Sequence, residues 1–331
     1  MRKTLKPALL QASVIILGLT ANLVSAKEFP QRPITIVYPG TAGGSGDIVI
    51  RTIAEQMSTM LGQPVVVDNR PGALGVPGTS TVARAAPDGY TLLMTVNASI
   101  VNAPLMMAKV PYEPTKDLSF ITELCTASMV LSVSSSLPVY NMQDFIRWAA
   151  ANKGKVNYGS FGIGSISHLL GSYLSQSKQL NMTHVAYKGE TPIIQDLIGG
   201  EIQWAFTTPG VVVQQIKAGK LRAIATTITG TARRLPLLPD VPTLQEAGFK
   251  DPEYQQGGCL VAMAPAKTPP EVLNTLGKAL RTIIHTPQTT NRMHEVGMEP
   301  LGNSPAEFRK RYDESIPIMK KLIDISGAKL N

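Results

Sequence analysis

The sequence predicts an α/β fold built as two lobes with a cleft between them. Three observations lead there. Apolar runs of strand length alternate with apolar runs at helical spacing along most of the chain. Two strand-to-helix junctions are glycine-rich, Pro39-Gly-Thr-Ala-Gly-Gly-Ser-Gly46 and Gly159-Ser-Phe-Gly-Ile-Gly-Ser165. The length, 331 residues, suffices for two ordinary domains. The alternation implies largely parallel strands.

In order along the chain, Ile34-Thr-Ile-Val-Tyr38 is a strand. Ile48, Val49, Ile53, Met57, Met60 and Leu61 then share one face of a helix that Gly62 stops. Residues 65–67 form a short strand, residues 79–85 a short helix, and Pro87-Asp-Gly89 a turn before the strand Tyr90-Thr-Leu-Leu-Met-Thr95. The middle of the chain repeats this order. Residues 129–133 are strand-like and residues 142–151 helical, and the helix after the second glycine turn presents Ile166, Leu169, Leu170, Tyr173 and Leu174 on one face. Pro192 opens another helix and Gly199-Gly200 closes it. Ile202, Trp204 and Phe206 alternate as a strand, residues 211–217 are helical, and residues 221–226 are strand. In the last third, Thr243…Glu246, Thr268…Glu271 and Ser304…Glu307 match the capping box, in which a hydroxyl and a glutamate satisfy each other's backbone N–H groups at a helix start.

Two stretches, near residues 120–127 and 251–260, have the character of crossings between lobes. The domain reading is therefore a signal peptide at 1–26, a discontinuous first domain of 27–124 and 255–331, and an inserted second domain of 125–254. The N-terminus carries Arg2, Lys3 and Lys6, an apolar run over 8–24, and small residues at Val24-Ser25-Ala26. That is the pattern of an export signal cleaved after Ala26. The alternative is a retained anchor, but Gln11, Ser13, Thr20 and Asn22 dilute the run. Removing those three cations lowers the formal charge from +8 to +5. There is no block of Lys or Arg and no basic–aromatic interleaving, so a nucleic-acid partner is not expected. Cys125 and Cys259 are too far apart in sequence for a CxxC motif. In an exported protein they could pair, or they could be two separate core residues.

The first glycine loop lacks the lysine of a phosphate-binding loop, and Val49 sits where a dinucleotide fingerprint needs its third glycine. No nucleotide cofactor is expected. A strand–glycine turn–helix unit instead aims N–H groups and the positive end of a helix dipole at an anion. Gly43, Gly44, Ser45 and Gly46 are the candidates in this loop. Asp47 either is stabilised by the helix dipole alone, or shapes the loop, or meets a ligand ammonium group. In the second loop the candidates are Ser160, Gly162, Gly164, Ser165 and His168. Asn97, Thr207 and Thr208 stand at strand ends, where a polar side chain can reach a ligand, and Tyr187 is a further lining candidate. The spacing of His and Cys supports no metal site. A nucleophile elbow is absent, although Ser160 or Ser165 with His168 would be the pair to test for a secreted hydrolase.

The ordered set Ala42-Gly-Gly-Ser-Gly-Asp-Ile-Val49, Leu61-Gly-Gln-Pro-Val65, Asn69-Arg-Pro-Gly-Ala73, Ala86-Pro-Asp-Gly-Tyr-Thr-Leu-Leu93, Gly162-Ile-Gly-Ser165 with His168, His184-Val-Ala-Tyr-Lys-Gly189, Ala218-Gly-Lys-Leu-Arg222, Pro239-Asp-Val-Pro-Thr243 with Glu246-Ala-Gly248, and Ala264-Pro265 resembles the substrate-binding proteins of tripartite tricarboxylate transporters. The resemblance implies a periplasmic two-lobed binding protein of the type II architecture. It would be monomeric and non-enzymatic, with a small carboxylate held by the two glycine loops. Its partner would be a two-component membrane carrier or, in a sensing role, a membrane kinase. The chain departs from the family pattern at Gly40, where Phe is usual, at Gly46, where Thr is common, at Leu74 and Ser172, which replace a usual Gly and Glu, and at Cys259, where an aromatic is usual. The first two changes suggest a roomier, less polar mouth. The resemblance also places Cys125 and Cys259 at crossings that lie side by side, which leaves a disulfide and two thiols equally open.

Overall fold

The computed structural model describes residues 29–227 and 234–329, so the export signal lies outside the described residues. The first unit runs β1 (Ile34–Tyr38), α1 (Ser45–Leu61), β2 (Val65–Asn69), α2 (Val76–Ala83) and β3 (Thr91–Val96). A π-helical turn, Ala98–Asn102, follows, then the short helices α3 (Ala103–Met106) and α4 (Pro114–Asp117) and the long strand β4 (Leu118–Ala127). The chain next builds β5 (Val130–Ser134), α5 (Met142–Ala151), β6 (Asn157–Ser160), α6 (Ile166–Ser177), β7 (Thr183–Ala186), α7 (Glu190–Gly199), β8 (Trp204–Thr207), α8 (Pro209–Lys217) and β9 (Leu221–Thr226). It returns through β10 (Gly258–Pro265), α9 (Pro270–Ile284), α10 (Pro287–Glu295), β11 (Met298–Pro300) and α11 (Pro305–Ser326).

Two sheets result, ordered β11-β4-β10-β3-β1-β2 and β7-β6-β8-β5-β9. The expectation of largely parallel strands is corrected. β1 is parallel to β2 and β3, and β6 to β7 and β8, but β10, β4, β11, β5 and β9 all pair antiparallel. β4, β5, β9 and β10 flank the two passages between the sheets, and β11 adds at the free edge of β4. Antiparallel pairing lets β5 and β10 enter without a crossover helix. An apolar core includes Leu93 and Val261 of one sheet and Leu131, Trp204 and Phe206 of the other. A second core packs α1 and α9 on the opposite face of the first sheet.

Of the three capping boxes, Ser304 and Glu307 form theirs at the start of α11. Thr243 and Glu246 exchange the same two bonds, 2.9 and 3.0 Å, but on a turn that does not continue as a helix. Thr268 forms none: its hydroxyl donates to the Pro265 carbonyl at 2.7 Å, and α9 starts after Pro269.

Cys125 and Cys259 are both free, buried thiols. The strand register explains why. Leu260, not Cys259, stands opposite Cys125, and successive residues of a strand face opposite ways. Cys259 therefore joins the core on the other side, where its thiol donates to Glu123 Oε1 at 3.3 Å.

Candidate functional site

At the first loop, β1 delivers the chain through residues 39–44 into α1. Gly44 is the N-cap, and no side chain caps this helix. The Gly44 carbonyl accepts the Ile48 N–H at 3.0 Å. The N–H groups of Ser45, Gly46 and Asp47 are therefore the open end of a 17-residue helix, with the positive end of its dipole behind them. Gly43, at φ +78°, is left-handed and its N–H is committed, donating to Asp47 Oδ2 at 2.8 Å. Asp47 also accepts from Arg51 Nε and from Asn69 Nδ2, both at 2.8 Å, and Asn69 in turn donates to the Gly40 carbonyl. Burial pushes the Asp47 carboxyl up, but the Arg51, Gly43 and Asn69 hydrogen bonds outweigh it and hold the group below its ordinary value. Asp47 thus shapes the loop and is saturated by it.

The expected roomier mouth is corrected. A Cβ on Gly40 would lie 2.3–2.5 Å from the ring and hydroxyl of Tyr38, and one on Gly46 would lie 2.3 Å from the Tyr38 hydroxyl. The space left by the two absent side chains is filled by the last residue of β1. Tyr38 is buried, and burial, with Asp47 and Cys125 adding, pushes its hydroxyl up to about 12. It stays neutral and polar beside the open helix end.

The second loop is built differently. Ser165 caps α6, accepting the His168 N–H and donating to the Gly162 carbonyl at 2.7 Å. The Phe161 N–H goes to Ser167 Oγ, the Gly162 N–H to Ser160 Oγ, and the Gly164 N–H to His168 Nδ1 at 3.1 Å. This loop satisfies most of its own donors. Gly162 and Gly164, at φ +121° and +79°, permit the winding that does so. The hydroxyl–imidazole pair that forms is Ser160 with His184 Nε2, 2.6 Å apart, rather than either serine with the His168 ring. Ser160 is wholly buried. His168 stacks on His184 with ring centroids 3.9 Å apart, and both line a polar depression with Tyr158, Ser172, Gln176 and Asn181, on elements of the second sheet's unit.

Burial, and to a smaller extent His184, lowers the His168 ring to about 4. The sign follows by linkage: the unfolded chain binds a proton that the native chain refuses. The stabilisation is full above the ordinary value of 6.5 and is lost as pH falls towards 4, roughly 3 kcal/mol in all. Urea unfolding should show this loss, and His168→Gln should lose less across the same window. An equal loss in both proteins would show that the buried imidazole is not the cause.

A cavity of about 220 Å³ lies between the two units. Asn97 and Ser165 line it, together with Val96, Ala98, Asn102, Phe161, Ile166, Thr208 and Leu260. Thr207 is turned away. Its hydroxyl is buried against Ser132 Oγ at 2.9 Å and the Val130 carbonyl, because alternation along β8 sends it into the sheet. Thr208, one residue on, faces the cavity, with its hydroxyl donating to Glu190 Oε2 at 2.6 Å. The Tyr187 hydroxyl donates to Asp196 at 2.6 Å, and its ring packs in the core of the second unit. Sequence reasoning missed Tyr38 and Asn102, and of the two hydroxyls it placed at the end of β8 it is Thr208 that lines the cavity.

Comparison with known proteins identifies the family and the fold. The chain is 32% identical over 317 residues to a UPF0065 protein of Bordetella bronchiseptica, covering 95% of this chain and 92% of that one. It superposes with a TM-score of 0.78 on the periplasmic binding protein BugD, at 33% identity over 91% of this chain and 99% of that one. With a Rhodopseudomonas palustris protein whose structure contains adipate the TM-score is 0.81, at 30% identity over 92% and 100% of the two chains. The family model described as tripartite tricarboxylate transporter family receptor matches residues 49–327, and the chain belongs to that family.

Proposed function

We propose that this protein captures a small carboxylate between its two lobes in the periplasm and hands it to the membrane components of a tripartite carrier, without turnover. The observation that carries the reading is the uncapped N-terminus of α1, held open by the Asp47–Arg51–Asn69 brace. Free N–H groups at a helix start bind a carboxylate oxygen with charge-assisted hydrogen bonds. The adipate-containing relative supports the ligand class. Among the described residues no helix is long and apolar enough to cross a membrane, which fits a receptor working beside a carrier.

Ligand-stripped protein should gain thermal stability with at least one member of a panel of mono-, di- and tricarboxylates, by mass action. The corresponding amides should give no shift. Equal shifts with acids and amides, or none with any acid, would overturn the reading.

A further inference from the structure

We infer that the solute is a carboxylate with an apolar body and one hydrogen-bond donor, and that Asn102 reads the donor. The inference rests on the carboxylate reading and narrows it. Apolar groups, among them Val96, Phe161, Ile166, Leu260, Met298 and Met319, make up most of the cavity wall, and among the described residues no charged side chain lines it. At about 220 Å³ the space suits a small body, below the roughly 300–1,000 Å³ of drug-sized sites. A polyanion such as a tricarboxylate would bring carboxylates against this wall without a partner.

The polar groups on the wall are already committed, with two exceptions. Ser165 donates to the Gly162 carbonyl and Thr208 to Glu190. Asn97 is half-buried at the edge. Asn102 is 3% exposed. Its Nδ2 donates to the Gly164 carbonyl at 2.9 Å, across the lobes. That bond fixes which way the amide points, because a carbonyl accepts only from the NH2 group. Oδ1 has no partner among the described residues. A buried acceptor left so costs free energy, and because the atom is closed off in this arrangement, a ligand hydroxyl or amine recovers that cost as the lobes shift around the solute. The π-helical turn Ala98–Asn102 ends at this residue, and such turns bring a side chain out of ordinary helical register.

Two ligand pairs test this by titration calorimetry on the stripped wild-type protein. 2-Hydroxy-4-methylpentanoate should bind about tenfold or more tighter than 4-methylpentanoate, the size of effect a matched buried acceptor gives. Both should bind tighter than citrate. In Asn102→Ala the preference for the hydroxy acid should fall to about twofold or less, whatever happens to absolute affinity. Equal affinity of the matched pair for the wild type, or citrate as the tightest ligand, overturns this inference and leaves the carboxylate reading standing. Binding of no carboxylate overturns both. The wild-type comparison stands even where the variant does not fold.

Discussion

Replacing Gly210 with valine is expected to weaken solute capture by roughly 5- to 150-fold while leaving both lobes folded. Gly210 lies in the first turn of α8, in the second unit. A Cβ there would lie 2.7 Å from Val296 Cα and 2.9 Å from its carbonyl carbon and oxygen, between α10 and β11 of the first unit. These are backbone atoms, so no rotamer change relieves the contact. Gly297 answers it, at φ +75°, with its own missing Cβ 2.4 Å from Pro209. The seam has been emptied of side chains from both sides. Overpacking of this kind costs about 1–3 kcal/mol. Here the cost falls on the arrangement in which the two units meet and not on either lobe, so it appears as lost affinity when solute is held in that arrangement. Titration with the best carboxylate of the panel, beside an unchanged unfolding midpoint of the free protein, checks this. An affinity equal to wild type would show that the lobes do not meet at this seam when solute is held.

Asp47→Ala should cost about 3 kcal/mol of stability and most of the binding. The substitution strands three donors at once: the Gly43 N–H, Arg51 Nε and Asn69 Nδ2. Hydrogen bonds to a charged group contribute about 1.5–3 kcal/mol each, with less than additive loss when one group makes all three. Asn69 would also lose its reason to hold the Gly40 carbonyl, so the loop before α1 would no longer be fixed. Because the Asp47 carboxyl is held below its ordinary 3.8, its contribution is present above that value and disappears as pH falls below it. Urea denaturation of wild type and variant at neutral pH measures the difference. A loss under about 1 kcal/mol would mean that the brace is redundant.

How much of this was legible in the sequence depends on the range of the interaction. Element order and the two glycine junctions were legible, because periodicity and glycine placement are local. Strand direction was not. Whether β10 runs with or against β3 is settled by pairing between residues 164 to 170 apart in the chain, and no local pattern carries it. The same reason separates Cys125 from Cys259: crossings can lie side by side and still send two side chains to opposite faces. At the site the misses were small displacements with large consequences. Of the two hydroxyls at the end of β8, Thr208 and not Thr207 faces the cavity, and the imidazole nearest Ser160 came from β7 instead of from α6. Asp47 showed the opposite case, since its neighbours at 43 and 51 lie close enough in sequence to suggest the brace.

The fit of Tyr38 against Gly40 and Gly46 also constrains the order in which this lineage can change. The three positions share one volume, so none of them varies freely. Introducing a threonine at 46 or an aromatic at 40 while Tyr38 remains would force two sets of atoms into the same place. Shrinking Tyr38 first would open a void that either residue could then occupy. The less costly route therefore runs through position 38, since otherwise the Tyr38 ring must shift to make room. A tyrosine at the end of the first strand should accordingly co-occur with glycine at the two later positions in any relative that shares this loop, as a trio inherited together.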